Sequence, residues 1–380
     1  MKNKVKIIAS MLIFLTICLI LGNNTLQTLA SEISVGTLSK GMVVIEGNTN
    51  TVLLERNMNE KLPMASTTKI ITAILAIENC ENLDEKIKIS NKAVGIEGTS
   101  IYIKENEKLT MRELLYGLML ASGNDCAVAI AEALGGVEKF VNMMNDFAKS
   151  LNLTNTHFDN PHGLDSDNHY TSAYDLAIMT SYALKNQVFR DIASTERMII
   201  EPTDVYQARY LKHKNRLLFT DKNCIGVKTG FTDNAGRCLV HAHEEDGMQI
   251  IAVVLNCQPM FEECDRLTKL AYEKYIMKEF VKPYNFVTNI EIEDGEKSEI
   301  GVITIKGFSL PIIKEEEINY EVKYVLPEKL TAPIKLNQKV GVVKVLYNNE
   351  VIYEDDLITI EDTDNNNIKY LFDNIIDRWF

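Results

Sequence analysis

Three textures of apolar and polar residues follow one another along the 380-residue chain. Met42 to Ile45 and Val52 to Leu54 are short apolar runs on either side of Gly47-Asn48-Thr49-Asn50, the pattern of two strands joined by a turn. From about Ser66 to Leu184 the spacing becomes helical. Thr110 and Glu113 make a T-x-x-E capping box, in which each side chain satisfies an orphan backbone N–H at a helix start. Met111, Leu114, Leu115, Leu118 and Met119 then fall on one helix face. A second helix is expected from Asp125 through Leu134, stopped by Gly135-Gly136. Between Cys224 and Asn256 the period shortens to that of strands. Ile225–Gly230, Arg237–His243 and Gln249–Leu255, separated by two polar turns ending in Gly236 and Gly247, predict an antiparallel meander. A helix through Leu267 to Phe280 is expected to close this module.

Pro283 opens a different region. From Phe286 to Ile360 short strands and frequent turns predict a small all-β domain without a nucleophile or metal cluster, read as a spacer or interaction module. In the last segment Ile368, Leu371, Phe372, Ile375, Ile376, Trp379 and Phe380 draw an apolar stripe along one helix. Such a helix either docks on the protein or lies flat in a membrane interface. At the other end, Lys2, Lys4 and Lys6 precede an apolar run from Ile7 to Leu21, and Thr28-Leu29-Ala30 offers a small-residue cleavage site. That is the layout of an export signal, and the run falls short of the roughly 18 apolar residues of a membrane span. The expected organisation is a signal over 1–30, a catalytic domain over 31–282, a β-rich domain over 283–362 and an amphipathic, membrane-associating helix over 363–380.

Composition narrows the partners. The net charge is -13, and it becomes -16 once the three lysines of the first thirty residues are set aside. Such a surface repels polyanions, and no basic stripe with interleaved aromatics occurs, so nucleic acid is excluded as a partner. Seven cysteines are present, of which Cys18 falls in the signal. The other six permit disulfides in an exported chain, with the pairing left open. No C-x-x-C or Cys/His cluster has zinc spacing, so neither metal nor cofactor is expected.

Three short stretches carry candidate chemistry. Ser66-Thr67-Thr68-Lys69 puts a hydroxyl and an amine three residues apart on one helical face, where the amine can act as the base that a serine nucleophile needs. Lysine can do so when desolvation or a nearby cation lowers its pKa. Alone, the stretch reads equally as an ordinary helix start. Ser122-Gly123-Asn124 falls in a break between two helices, which aims a hydroxyl and an amide from rigid supports. Ser150-Leu151-Asn152 and Ser166-Asp167-Asn168 match the same triplet but sit beside polar loops, and are taken as surface turns. Lys228-Thr229-Gly230, with Phe231-Thr232 following, ends an apolar strand. Its cation and hydroxyl suit a carboxylate, and its glycine lets a ligand approach the backbone.

Taken together and in this order, Ser66, Ser122 and Lys228 resemble the S-x-x-K, S-x-N and K-T-G set of penicillin-binding proteins and serine β-lactamases. Residues 63–69, 109–125, 160–164 and 226–232 look like low-molecular-mass D-alanyl-D-alanine carboxypeptidases, and residues 332–341 look like that family's β-rich domain. The resemblance implies an α/β fold, with an antiparallel sheet flanked by helices, then a small all-β domain and a C-terminal amphipathic helix. It implies Ser66 as nucleophile, Lys69 as base, Ser122 as proton relay and Asn124 as the group holding Lys69 and the substrate amide. Lys228 and Thr229 would bind the terminal carboxylate, Gly230 and Phe231 would be substrate-binding beside them, and the amides of Ser66 and Phe231 would form an oxyanion hole. The implied partners are peptidoglycan stem peptides, β-lactam antibiotics as inhibitors and, through the last helix, the membrane surface. The implied location is outside the cytoplasm, peripheral on the outer face of the membrane. The rival readings are a β-lactamase, disfavoured because no glutamate lies between Glu138 and Glu196, and a non-catalytic wall-binding module. Arg209 and Arg216 are both candidates for the carboxylate, and the histidines are expected to be structural.

Overall fold

A computed structural model describes residues 33–34 and 36–366, which fall into two compact units, one ending at Tyr275 and the other beginning at Ile276. The first is built on a six-stranded sheet of β1 (Ile33–Ser34), β2 (Gly41–Glu46), β3 (Val52–Arg56), β4 (Cys224–Thr232), β5 (Gly236–Glu245) and β6 (Met248–Leu255), in the order β1-β3-β2-β6-β5-β4. The three strands from β4 to β6 form the antiparallel meander that the sequence predicts, with Phe231 opposite Arg237 and Ile251 opposite Ala242. β1 alone pairs in parallel, on β3.

Every residue of β2 and β6 is buried, which requires cover on both faces of the sheet. Strand alternation divides the work. Val43, Ile45, Ile251, Val253 and Leu255 join the large core formed with α1 (Lys69–Asn79), α2 (Met111–Met119), α3 (Asn124–Ala133), α4 (Val137–Ser150), α5 (Ala173–Leu184) and α6 (Gln187–Ala193). The intervening residues face α7 (Met260–Lys274), whose buried Cys264, Leu267 and Ala271 lie on that side, with the Cys264 thiol donating to the Ala252 carbonyl. The capping box at the start of α2 forms as the sequence implies: Thr110 N donates to Glu113, and Glu113 N donates to Thr110 Oγ1. α3 covers Asn124–Ala133, one residue earlier at each end than the reading from its glycine stop.

The helix expected through Phe280 ends at Lys274. Tyr275 is buried and its hydroxyl donates to the Leu53 carbonyl, and the chain continues as β7 (Tyr275–Val281). The reason is packing: Phe280 and Val281 belong to the core of the second unit, which therefore starts before Pro283. That unit is all-β as expected. β8 (Phe286–Glu293), β9 (Glu299–Thr304), β11 (Tyr320–Val325), β12 (Lys329–Thr331), β13 (Lys339–Tyr347) and β14 (Glu350–Thr359) form a sheet in the order β11-β13-β14-β9-β8-β12, and β7 pairs with β10 (Phe308–Ile313). Thr363 bridges to Ile334 and Asn365 to Gly295, so β-type pairing runs past residue 362, where the amphipathic segment was expected to begin. The export signal over 1–30 and the apolar stripe from Ile368 onward lie outside the described residues.

Candidate active site

Ser66 sits in a 3-10 turn, Ala65–Thr68, that leads directly into α1. The two threonines between nucleophile and lysine brace this turn. Thr67 Oγ1 donates to the Met64 carbonyl at 2.6 Å, and Thr68 Oγ1 donates to the Ala65 carbonyl at 2.8 Å. Ala65 takes a positive φ of 48°, a costly conformation for a residue with a side chain, and Ser122 does so too at 65°. Both outliers flank the same cleft, as strained residues at working sites commonly do.

Lys69 opens α1 and is completely buried. Its Nζ lies 2.8 Å from Ser66 Oγ, 2.7 Å from Asn124 Oδ1 and 2.6 Å from the His162 carbonyl oxygen. Burial, and after it the positive charge of Lys214, bring its pKa down to about 7, against smaller opposing pulls from Cys126 and Asp125. The His162 carbonyl was not legible in the sequence. It is aimed by Asn160, whose Oδ1 accepts from His162 N and Gly163 N while its Nδ2 donates to the Leu164 carbonyl. Gly163, at φ 94°, carries this loop against the nucleophile: a Cβ there would sit 1.9 Å from the Ala65 carbonyl oxygen. The His162 ring itself accepts from Leu164 N, and burial followed by the Lys69 charge holds its pKa at about 3.

The break between α2 and α3 delivers Ser122 and Asn124 as expected. Asn124 Nδ2 donates to the Glu97 carbonyl at 2.6 Å and its backbone N to the Thr99 carbonyl at 2.7 Å. Asn124 therefore holds Lys69, but one N–H of the amide group expected to meet the substrate is already committed to Glu97. Asp125 ties down the same wall of the cleft, accepting from Ile101 N, Ile103 N and Ser100 Oγ. The Cys126 thiol fits because Gly117 and Gly123 leave it space; a Cβ on either would meet Sγ at 2.6 or 3.0 Å. The two competing triplets lie elsewhere. Ser150 Oγ donates to the Phe147 carbonyl at the end of α4, and Ser166 bonds to Asp159 in an exposed loop.

β4 is the edge strand of the sheet and packs against the Ser66 turn. The Nζ of buried Lys228 lies 2.9 Å from Ser122 Oγ and 2.9 Å from the Thr229 carbonyl oxygen. Its pKa is lowered, first by burial and then by Lys69 and Lys214. Gly230 answers to packing rather than to ligand approach: a Cβ there would meet the Met64 carbonyl at 2.9 Å and Ser66 N at 3.1 Å. Ser66, Ser122, Thr229, Gly230 and Phe231 thus share a cavity of about 350 Å³ with Lys214 and Arg237.

Neither expected arginine is the cation of this cavity. Arg209 is buried elsewhere, bonding both oxygens of Glu107 at 2.8 Å and the carbonyls of Ile101 and Tyr102. Arg216 is exposed, paired with Glu262, and lines a neighbouring cavity. Lys214 lies closer in, with Nζ 3.3 Å from Thr99 Oγ1 across the mouth. Two residues before Arg216, it was hidden among the 40 lysines and arginines of the chain. Cys80, Cys126, Cys224, Cys238, Cys257 and Cys264 are all free thiols.

A serine hydroxyl held against a buried amine of lowered pKa, beneath two further lysines at the edge of an α/β sheet, defines a serine hydrolase that works through an acyl-enzyme. The chain belongs to the D-alanyl-D-alanine carboxypeptidase family, which matches residues 27–259, and residues 275–365 match the C-terminal domain of penicillin-binding protein 5. It is 34% identical to the D-alanyl-D-alanine carboxypeptidase DacF of Bacillus subtilis, over 85% of each chain. It is 29% identical to DacC of Escherichia coli, over 86% of this chain and 84% of that one. The solved penicillin-binding protein 5 of Haemophilus influenzae shares the fold at a TM-score of 0.71 and 23% identity, over 88% of this chain and all of that one (100%). The Streptomyces K15 DD-transpeptidase aligns at 30% identity and a TM-score of 0.60, over 63% of this chain and 99% of its own.

Proposed function

We propose that this chain is a serine D-alanyl-D-alanine carboxypeptidase that removes the terminal D-alanine from peptidoglycan pentapeptides through an acyl-enzyme on Ser66. One observation carries the reading. Of the three oxygens around Lys69 Nζ, those of Asn124 and His162 can only accept hydrogen bonds. A neutral amine spends its two N–H bonds on them, which turns its lone pair toward the Ser66 hydroxyl 2.8 Å away. With a pKa of about 7, Lys69 combines a large neutral fraction at physiological pH with enough basicity to take the proton.

Ser66 Oγ then attacks the carbonyl of the penultimate residue, and its proton passes to Lys69. Ser122, bonded to Lys228, relays a proton to the leaving amine. The amides of Ser66 and Phe231 stabilise the developing oxyanion, where each such donor is typically worth about 2.7–4 kcal/mol. Lys228 and Thr229, joined by Lys214 at the rim, bind the terminal carboxylate, whose negative charge raises the pKa of Lys228 again. Water hydrolyses the ester. The scheme uses no metal or cofactor.

Penicillin is expected to acylate the same serine and to remain there. The segment between Glu138 and Glu196 offers no glutamate to drive fast deacylation, which speaks against a β-lactamase. The complete set of contacts around Ser66 speaks against a non-catalytic wall-binding module. The first thirty residues fit an export signal and the apolar stripe from Ile368 onward an amphipathic tail, so the enzyme works outside the cytoplasm, peripheral on the outer face of the membrane. The β-rich unit then serves as a spacer or interaction module.

Mass spectrometry of a pentapeptide digest tests the reaction. Release of D-alanine by the wild type and its loss in Ser66→Ala are expected, together with a lasting adduct of labelled penicillin on Ser66. Activity surviving that substitution, or rapid turnover of penicillin, overturns the reading.

A further inference from the structure

The cleft does not end at the groups this reaction uses. A second cavity of about 490 Å³ adjoins it, sharing Arg237, Met260 and Phe261 and bringing in Arg216. Strand alternation tells which way it lies. On β4, Gly230 faces the nucleophile turn, so Thr229 and Phe231 face the opposite side, where Arg237 is the cross-strand partner of Phe231. The shelf therefore adjoins the cleft on the face of β4 that carries Thr229, whose hydroxyl takes the terminal carboxylate, and Met260 and Phe261 join it to the cavity that Lys214 lines.

Two guanidinium groups line it, each over an aromatic face. Arg237 lies 5.5 Å from the Phe231 ring centroid and Arg216 lies 4.6 Å from that of Phe261. Their situations differ. Arg216 is neutralised by Glu262, whereas Arg237 makes no ion pair among the described residues. A chain of net charge -13 thus presents an unpaired, ring-supported cation beside its cleft. Stacking restricts the rotamers of such a guanidinium, so less freedom is lost when an anion arrives.

We propose that this shelf is a subsite for the side chain of the leaving residue, that it takes an acidic side chain, and that Arg237 is its specificity-determining residue. The inference rests on the carboxypeptidase reading and extends its substrate class to peptides ending in an acidic D-amino acid. The covalent step is unchanged. The bond from the penultimate D-alanyl carbonyl to the leaving nitrogen breaks, the Ser66 ester forms, and the relayed proton goes to the departing amine.

Three pentapeptides, identical except for a C-terminal D-alanine, D-glutamate or D-glutamine, separate the outcomes with the full chain. In the wild type, kcat/KM for the D-glutamate peptide is expected to exceed that for the isosteric D-glutamine peptide by about two- to five-fold, the range of an exposed ion pair. Raising the ionic strength shrinks that ratio. Arg237→Gln brings the ratio to about one and removes its salt dependence, and Arg237→Lys keeps part of both. Because the ratio is taken within each variant, a general change in activity cancels, and penicillin labelling shows that each variant is folded. Equal rates in the wild type, or a ratio unchanged in Arg237→Gln, overturn the subsite. Failure of the wild type to release D-alanine sinks the underlying reaction instead.

Discussion

At Lys69 three neighbours decide what one nitrogen does. Two oxygens that can only accept fix its hydrogens, burial disfavours its charge, and Lys214 adds repulsion. The sign of the pH dependence follows. Protonated Lys69 cannot accept the Ser66 proton, so kcat/KM for penicillin acylation is expected to rise with pH through about 7, with a slope near tenfold per unit on the acid side. Lys214→Met removes a cation that lowers this pKa, so the acid limb moves to higher pH; Lys214→Arg leaves it in place. A pH profile that does not move in Lys214→Met refutes the electrostatic coupling. That Ser66, Lys69, Ser122, Asn124 and Lys228 would come together was legible only from the three motifs taken as a set, since each alone reads equally as an ordinary helix start, break or strand end. The His162 carbonyl was not, since every residue has one, and its aim is set by a loop that Asn160 folds.

Between elements, the decisive contacts are close approaches that only the folded chain reveals. Gly163 and Gly230 press two separate segments onto the Ser66 turn, from a loop and from the edge strand. The buried pair of Arg209 and Glu107 fastens residues 101–107 to the strand Arg209–Lys212. Burial opposes ionisation of Glu107, but hydrogen bonds led by Arg209 outweigh it and keep the carboxyl pKa below its usual value. Its contribution to stability is therefore lost as the pH falls through that lowered value. Arg209→Met leaves Glu107 charged and without its counter-ion, held only by Thr203 Oγ1 and Lys104 N, and about 3–5 kcal/mol of destabilisation is expected in urea unfolding. Adding Glu107→Gln restores part of it, and a double variant no better than the single one counts against the pair. Sequence periodicity placed the sheet and α2 well because alternation and capping are local. It carried the last helix too far, because the Leu53 carbonyl that holds Tyr275 and the partner strand of β7 lie far away in the chain.

For the whole molecule the units have separate cores, one spanning the central sheet and its helices, the other around Val302, Leu310, Val343 and Leu357. In the sequence the change of texture comes near Pro283, a few residues after the point where the contacts divide the chain, because a texture marks strands and turns and not which core a residue joins. A chain ending at Asn366 keeps the bridges of Thr363 and Asn365, so it tests the amphipathic segment cleanly. D-alanine release is expected to persist while co-sedimentation with anionic lipid vesicles falls several-fold; undiminished pelleting argues against a membrane role.

One more property follows from the six unlinked thiols. Five are buried, and burial raises the pKa of Cys224 and Cys238 to about 12, which suppresses the reactive thiolate. Among the six described cysteines an alkylating reagent is therefore expected to modify Cys80 alone, and dithiothreitol to leave the melting temperature where it was. Stapled secretory domains come apart under such treatment. The described part of this chain relies on its buried apolar cores instead, with no cross-link among its six thiols.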